Sequence, residues 1–165
     1  MSQKIVVRRA RRKDLQTLVG IVNYSGWLSQ PITDADAAMW FGEKGYHLAV
    51  SRTGAALAGW QAENLVNCVD ELFVYPPVSS VELGPPLLAA VEAAAQELEC
   101  EVSVVLVPER GKAFVEPMLQ SCGYKLKNVT ELDKNWLDIL SLKAPQGQRQ
   151  FWVKQLRAER VIMPI

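Results

Sequence analysis

The stretch from Asp70 to Leu98, DELFVYPPVSSVELGPPLLAAVEAAAQEL, constrains this chain more than any other. Leu72-Phe73-Val74 is an apolar run too short for a helix and is closed by Tyr75-Pro76-Pro77, so it is expected to end a strand. After a loop and Gly84-Pro85-Pro86, the residues Leu87, Leu88, Val91, Ala94, Ala95 and Leu98 recur at helical spacing. Proline presets φ and lacks an N–H, so Pro85 or Pro86 is expected in the first helical turn, giving a helix of about 14 residues. A strand, a turn and a helix whose N-terminus faces the loop can gather free N–H groups and the helix dipole around an anion. On spacing alone an ordinary α/β crossover is the favoured reading.

Totals exclude several classes. The 165 residues suit one domain with a single sizeable core. Lys+Arg and Asp+Glu both number 18, so no net field draws the chain to nucleic acid or to an anionic membrane. Cys68, Cys100 and Cys122 share no metal-ligand spacing and are expected to be reduced thiols. With His47 the one histidine, a His-based metal site or triad has almost nothing to build on; a surface or strand-end position is expected for it. The sequence MSQKIVVRR lacks a signal-peptide core and no run reaches spanning length, so a cytoplasmic protein without a membrane anchor is expected.

In chain order, Ile5-Val6-Val7 is expected to form the first strand and Leu15, Leu18, Val19 and Val22 one face of a helix. The basic run Arg8 to Lys13 between them fits a solvated face better than a nucleic-acid patch. Thr33 and Asp36 form a capping-box pattern for a second helix, which Gly42 or Gly45 would end. Tyr46 to Ser51 and Ala56 to Ala62 are hairpin strands around Arg52-Thr53-Gly54, and Asn67-Cys68-Val69 begins the next strand. Glu101 to Val107 reads as a buried central strand, parallel to and beside the one ending at Leu72 to Val74. A helix through Phe114, Met118 and Leu119 is expected to be bent or shortened by Pro117, with Gly123 as its left-handed cap. Tyr124 to Val129 and Trp136 to Leu142 are expected as a closing strand pair, finishing a domain over residues 1–143. Residues 144–165 are expected to be an extension, helical through Phe151, Trp152, Leu156 and Val161, that covers a sheet edge, joins a dimer or meets an acidic partner.

The order of residues around Val74 resembles the acyl-CoA-binding segment of the GNAT N-acetyltransferase family. Its pattern is a strand ending in valine, a proline, Arg/Gln-x-x-Gly-x-Gly/Ala and a helix opening with leucines. Val74, Pro76, Gly84, Leu87 and Leu88 fall on matching positions, Ser79 on the Arg/Gln and Glu82 on the first glycine. Strand-Arg8-x-Ala10 with Asp14-Leu15 resembles the family's opening, and Ala113, Gly123 and Tyr124 resemble its second motif. Arg110 stands there for the family's Asn, and Leu119 or Pro117 for the tyrosine that acts as general acid.

The resemblance implies an α/β (α+β) GNAT-like fold, a mixed central sheet flanked by helices, and acetyl transfer from acetyl-CoA to a small-molecule or peptide amine. It implies that the cofactor lies along Leu72, Phe73 and Val74 with its phosphates at Ser79, Ser80, Leu83 and Gly84. Asp70 or Glu71 would be the base, one only, because successive strand residues face opposite ways. Trp27, Trp40 and Phe41 would line an acceptor pocket or belong to the core, with Tyr124 in the core. Glu82 opposes the phosphates: at ~4 Å and an effective dielectric near ~20, like unit charges cost about 4 kcal/mol as an upper figure. A GNAT-fold module that has lost the cofactor and serves binding or assembly is therefore the alternative. No metal is implied.

Overall fold

A computed structural model describes residues 4–158, so the expectation for Val161 lies outside the described residues. The strands are β1 (Val6–Arg9), β2 (Gly45–Val50), β3 (Ala55–Glu63), β4 (Val66–Tyr75), β5 (Val102–Val105), β6 (Lys125–Asn128) and β7 (Gln150–Gln155). The helices are α1 (Leu15–Ser25), α2 (Asp34–Glu43), α3 (Ser80–Glu97), α4 (Lys112–Ser121) and α5 (Lys134–Lys143). One seven-stranded mixed sheet has the order β1-β2-β3-β4-β5-β7-β6. Among the described residues only the β4–β5 pair is parallel, joined by α3 as its crossover.

Local signals set several ends. The Arg8 guanidinium donates to both carboxylate oxygens of Asp14 at 2.7 Å, and Asp14 also accepts from the Arg11 N–H, tying β1 to the start of α1. Part of the basic run is thus structural. Thr33 and Asp36 form the expected capping box on α2, which ends at Lys44 in an extended conformation rather than at a glycine. Gly123 takes φ 89° after α4, as its sequence position requires.

β4 and β5 are parallel neighbours, but the pairing uses the first half of β4, Val66–Val69 against Val102–Val105. Leu72 to Val74 run on past the point of contact, where Leu106 N–H to Val69 O is the last bond between the strands. Helix α3 begins at Ser80, ahead of both prolines, and runs 18 residues. Pro85 and Pro86 therefore lie inside it, and the carbonyls of Val81 and Glu82 lose their intrahelical donors. Both of those residues are exposed, so water can serve the carbonyls. Pro117 likewise sits inside the continuous ten-residue α4, on an exposed face.

Two expectations near the C-terminus are corrected. Trp136 to Leu142 is not a strand: Trp136, Ile139 and Leu140 follow a helical spacing and face one side of α5. They pack on Val66, Cys68, Val102 and Val104. The expected terminal helix is instead strand β7, which lies between β5 and β6. Phe151 and Val153 point to the α5 face, whereas the Trp152 indole meets Glu116 of α4 at 2.8 Å and Lys154 meets Glu92 of α3 at 2.5 Å. That alternation is the period of a strand.

The larger core joins β2–β4 to α1, α3 and α4 through Leu18, Leu48, Leu57, Leu87, Leu88 and Leu119. Tyr124 is in it, donating to Ser103 Oγ at 3.0 Å, as expected of a packing residue. His47 is buried in β2, not at a strand end, and its Nδ1 accepts from the Trp60 indole at 3.0 Å. All three cysteines are unpaired; burial pushes the Cys68 thiol up to about 12. Among the described residues, no group of His, Cys, Asp and Glu could hold a metal ion, and no helix is long and apolar enough to cross a membrane.

Candidate functional site

The ladder between β4 and β5 stops at Val69, while β4 stays paired with β3 as far as Tyr75. From Asp70 onward, one edge of β4 is therefore released from its parallel neighbour, and the sheet forks. Just at the fork, the register of β3 against β4 slips: Gly59 opposes Glu71, but Trp60 opposes Val69. Asp70 is the extra residue of a β-bulge. A bulge breaks the alternation of side chains, and the expectation that Asp70 and Glu71 must face opposite sides fails for that reason.

Both carboxylates meet one ammonium. Lys44, the residue that caps α2, places Nζ 2.9 Å from Asp70 Oδ2 and 3.0 Å from Glu71 Oε1. Tyr46, Gly59 and Glu71 stand in one row across three strands, and the Tyr46 hydroxyl donates to Glu71 Oε2 over the glycine. A Cβ on Gly59 would lie 2.6 Å from the Tyr46 ring and 3.0 Å from the Glu71 carboxylate, so a side chain at this position would break the row. Asp70 Oδ1 is buried and has no hydrogen-bond partner.

Burial raises the pKa of Glu71, with Tyr46 and Lys44 pulling against it and Asp70 adding to it. Burial works against the Lys44 ammonium, but the two carboxylates outweigh it and its pKa is raised. The Tyr46 phenol is pushed up by burial and by Glu71, so it remains a donor at neutral pH. The cluster thus sets two carboxylates against one ammonium and one phenol. The sequence pointed to the two acids; Lys44 and Tyr46 escaped because their meeting depends on the strand register and on how α2 ends.

Leu72, Phe73 and Val74 are buried through their side chains, with the Trp40 ring stacked on Phe73 at 6.4 Å between centroids. Trp27 is buried in the core, whereas Trp40 and Phe41 are half-buried and pack against it: Phe41 lies on Tyr46, and Trp27 lies on Gly111 so tightly that a Cβ there would be 2.6 Å from the indole. Past β4, Pro77–Ser79 form a 3-10 turn. The Ser79 and Ser80 N–H groups bond back to Pro76 and Pro77, and Ser80 Oγ also donates to Pro77 O at 2.7 Å. Ser79 is buried under the β2–β3 turn, where a Cβ on Gly54 would lie 2.8 Å from its Oγ. Leu83 is in the core, and Gly84 faces Met118 of α4. Glu82 is exposed in the first turn of α3. Leu119 is buried and Pro117 carries no proton, so α4 offers no general acid at either position. Arg110 donates to the Leu28 carbonyl at 3.3 Å.

This arrangement of strands and helices is the fold of the GNAT acyl-CoA N-acyltransferases. A GNAT-family acetyltransferase from Staphylococcus aureus Mu50 superposes with a TM-score of 0.69 at 12% identity, over 93% of this chain and 100% of that one. A GNAT-superfamily phosphinothricin acetyltransferase from Sinorhizobium meliloti, solved with acetyl-CoA, gives 0.65 at 15% identity, over 100% and 94%. A ribosomal-protein-alanine N-acetyltransferase from Brucella melitensis gives 0.62 at 17% identity, over 91% and 99%. No family model and no curated protein matches the sequence. At such identities the likeness is one of fold.

Proposed function

We propose that this protein is an N-acetyltransferase that moves an acetyl group from acetyl-CoA to an amine, with Glu71 as general base. The observation that carries this reading is the bulge at the fork, which gathers Asp70 and Glu71 beside the released edge of β4. A free strand edge can receive an extended amide-bearing chain as an added strand, and the backbone of Leu72, Phe73 and Val74 supplies that edge for the arm of the cofactor. Acetyl-CoA supplies an acyl group on a thiolate, a fair leaving group with a pKa near ~8.5.

Glu71 takes the proton from the acceptor ammonium, directly or through a water, and so frees the amine lone pair. Tyr46 orients Glu71 and shields its Oε2. Neither Pro117 nor Leu119 of α4 can donate a proton to the leaving sulfur, which takes it from water or from the newly acylated nitrogen as the C–S bond breaks and the amide forms. The diphosphate end has a thinner cradle. Two N–H groups at the start of α3 are spent on the 3-10 turn, Ser79 is covered, and Glu82 sets a carboxylate on the first turn. The helix dipole already favours that carboxylate, so it competes with a phosphate for the same end. This thinning favours the second reading, a GNAT-fold binding or assembly module.

Isothermal titration with acetyl-CoA, followed by turnover of a panel of amines, tests the proposal. Weak binding is expected, tightened several-fold by Glu82→Gln, and slow acetylation of a primary amine is expected. Absence of both binding and turnover leaves the binding-module reading in its place.

A further inference from the structure

The fold accounts for only part of the basic run at Arg8 to Lys13. Arg8 is held by Asp14, and the Arg9 guanidinium lies 5.9 Å from the centre of the Trp60 ring. Arg11 and Arg12 are exposed and form no ion pair among the described residues. Both line a cavity of about 510 Å³ between the start of α1 and the last turns of α2. Its other wall is uncharged, built from Leu15 of α1 and from Ala38, Phe41 and Gly42 of α2. Ala38 and Gly42 are four residues apart and share one face of the helix. Phe41 is half-buried and is backed by the Tyr46 ring, 5.2 Å away between centroids. A Cβ built on Gly42 meets nothing within 4 Å, so the space in front of α2 is open.

We propose that this cavity binds a small aromatic phosphate monoester, with the phosphate at Arg11 and Arg12 and the ring against Phe41. Two adjacent guanidinium groups bring two full charges to one end of the cavity, and their planar N–H forks suit phosphate oxygens. A phosphate monoester carries about −1.5 to −2 at neutral pH and offers three acceptor oxygens, whereas a carboxylate carries a single charge. The carbonyl end of α2 disfavours an anion at the opposite wall, which leaves that wall to an uncharged ring. A ring laid on Phe41 gains an aromatic contact beyond the area it buries. The volume is that of a small-ligand site. The cavity shares no lining residue with the Asp70–Glu71 cluster or with the start of α3, and it stands whether or not the chain transfers acetyl groups.

Phenyl phosphate is the probe. Inorganic phosphate, benzoate and phenol are the controls, lacking the ring, the second charge and the anion in turn. In calorimetric titration the wild type should bind phenyl phosphate about tenfold or more tightly than any of the three, the usual worth of one aromatic or charge-assisted contact. A control that binds as tightly overturns the proposal. A tyrosine side chain could carry the same head; a capped phosphotyrosine should bind no more tightly than phenyl phosphate, and tighter binding overturns the free-ligand assignment. Two variants at exposed positions test the place. Arg12→Gln removes a charge, and Gly42→Leu fills the open space in front of α2. Each should weaken phenyl phosphate several-fold without lowering the denaturation midpoint, and unchanged binding by both overturns the site. A measurement on the wild type stands apart from any folding defect: 15N NMR during the titration. Amide shifts should centre on Arg11 to Leu15 and Ala38 to Gly42. Shifts centred on Ser79 to Leu83 would place the anion at the start of α3 and overturn the assignment.

Discussion

Gly84 of α3 faces Met118 of α4 so closely that a Cβ on the glycine would lie 2.7 Å from three atoms of the methionine side chain. The resemblance would give this glycine to a phosphate loop; the close approach gives it a packing role between two helices. Gly84→Ala should destabilise the fold by about 1–3 kcal/mol, the usual cost of overpacking, seen as a lower denaturation midpoint with an unchanged slope. Shortening the opposing side chain with Met118→Ala should recover part of the loss. A Gly84→Ala variant of full stability with impaired acetyl-CoA binding would return this glycine to a phosphate role.

If Glu71 is the base, kcat/KM should rise with pH through a pKa above that of an ordinary glutamate, because burial raises it and the base works only when ionised. Glu71→Gln should cost about 10²- to 10⁴-fold, the range for a lost general base. Replacing Lys44 by Met removes the cation that favours the ionised carboxylate, so the acid limb should move further up by about 1 pH unit or more. An acid limb that stays in place would separate Lys44 from the titration of Glu71.

Asp14 is held well below the usual carboxylate range, first by the Arg8 guanidinium and then by the Arg11 N–H. A depressed folded pKa contributes stability that is present above the unfolded value of about 3.9 and lost as pH falls. Asp14→Asn should therefore cost stability at neutral pH, on the order of 1 kcal/mol as for a lost cap. It should also flatten the fall in stability below about pH 4. Urea titrations at neutral and acidic pH measure both.

Strand β7 separates β5 from β6 in the sheet, and its Phe151 and Val153 help to bury α5. A chain ending after Lys143 leaves β6 with no strand beside it and one edge of β5 bare. Such an exposed edge invites aggregation. That truncated chain should fail to show a cooperative unfolding transition by circular dichroism. Cooperative unfolding like that of the full chain would make residues 144–165 a true appendage.

What the sequence determined by itself was whatever depends on near neighbours along the chain. The Thr33–Asp36 box, the turn at Gly123, the hairpin around Arg52-Thr53-Gly54 and the β4–α3–β5 crossover all follow from backbone preferences within a few residues. Together with the order of letters around Val74, they were enough to indicate the fold. Tertiary structure decided what short apolar runs cannot. Trp136, Ile139 and Leu140 suit a strand or a helix until a sheet face is offered, and Phe151 to Leu156 took the strand because β5 and β6 left a place between them. The candidate site belongs to the same class. Asp70 and Glu71 are adjacent in sequence and should diverge; a one-residue slip against Gly59 turns them together, and only then can Lys44 and Tyr46, more than twenty residues earlier, reach them. A bulge is a relation between two strands, and no letter on either strand alone contains it.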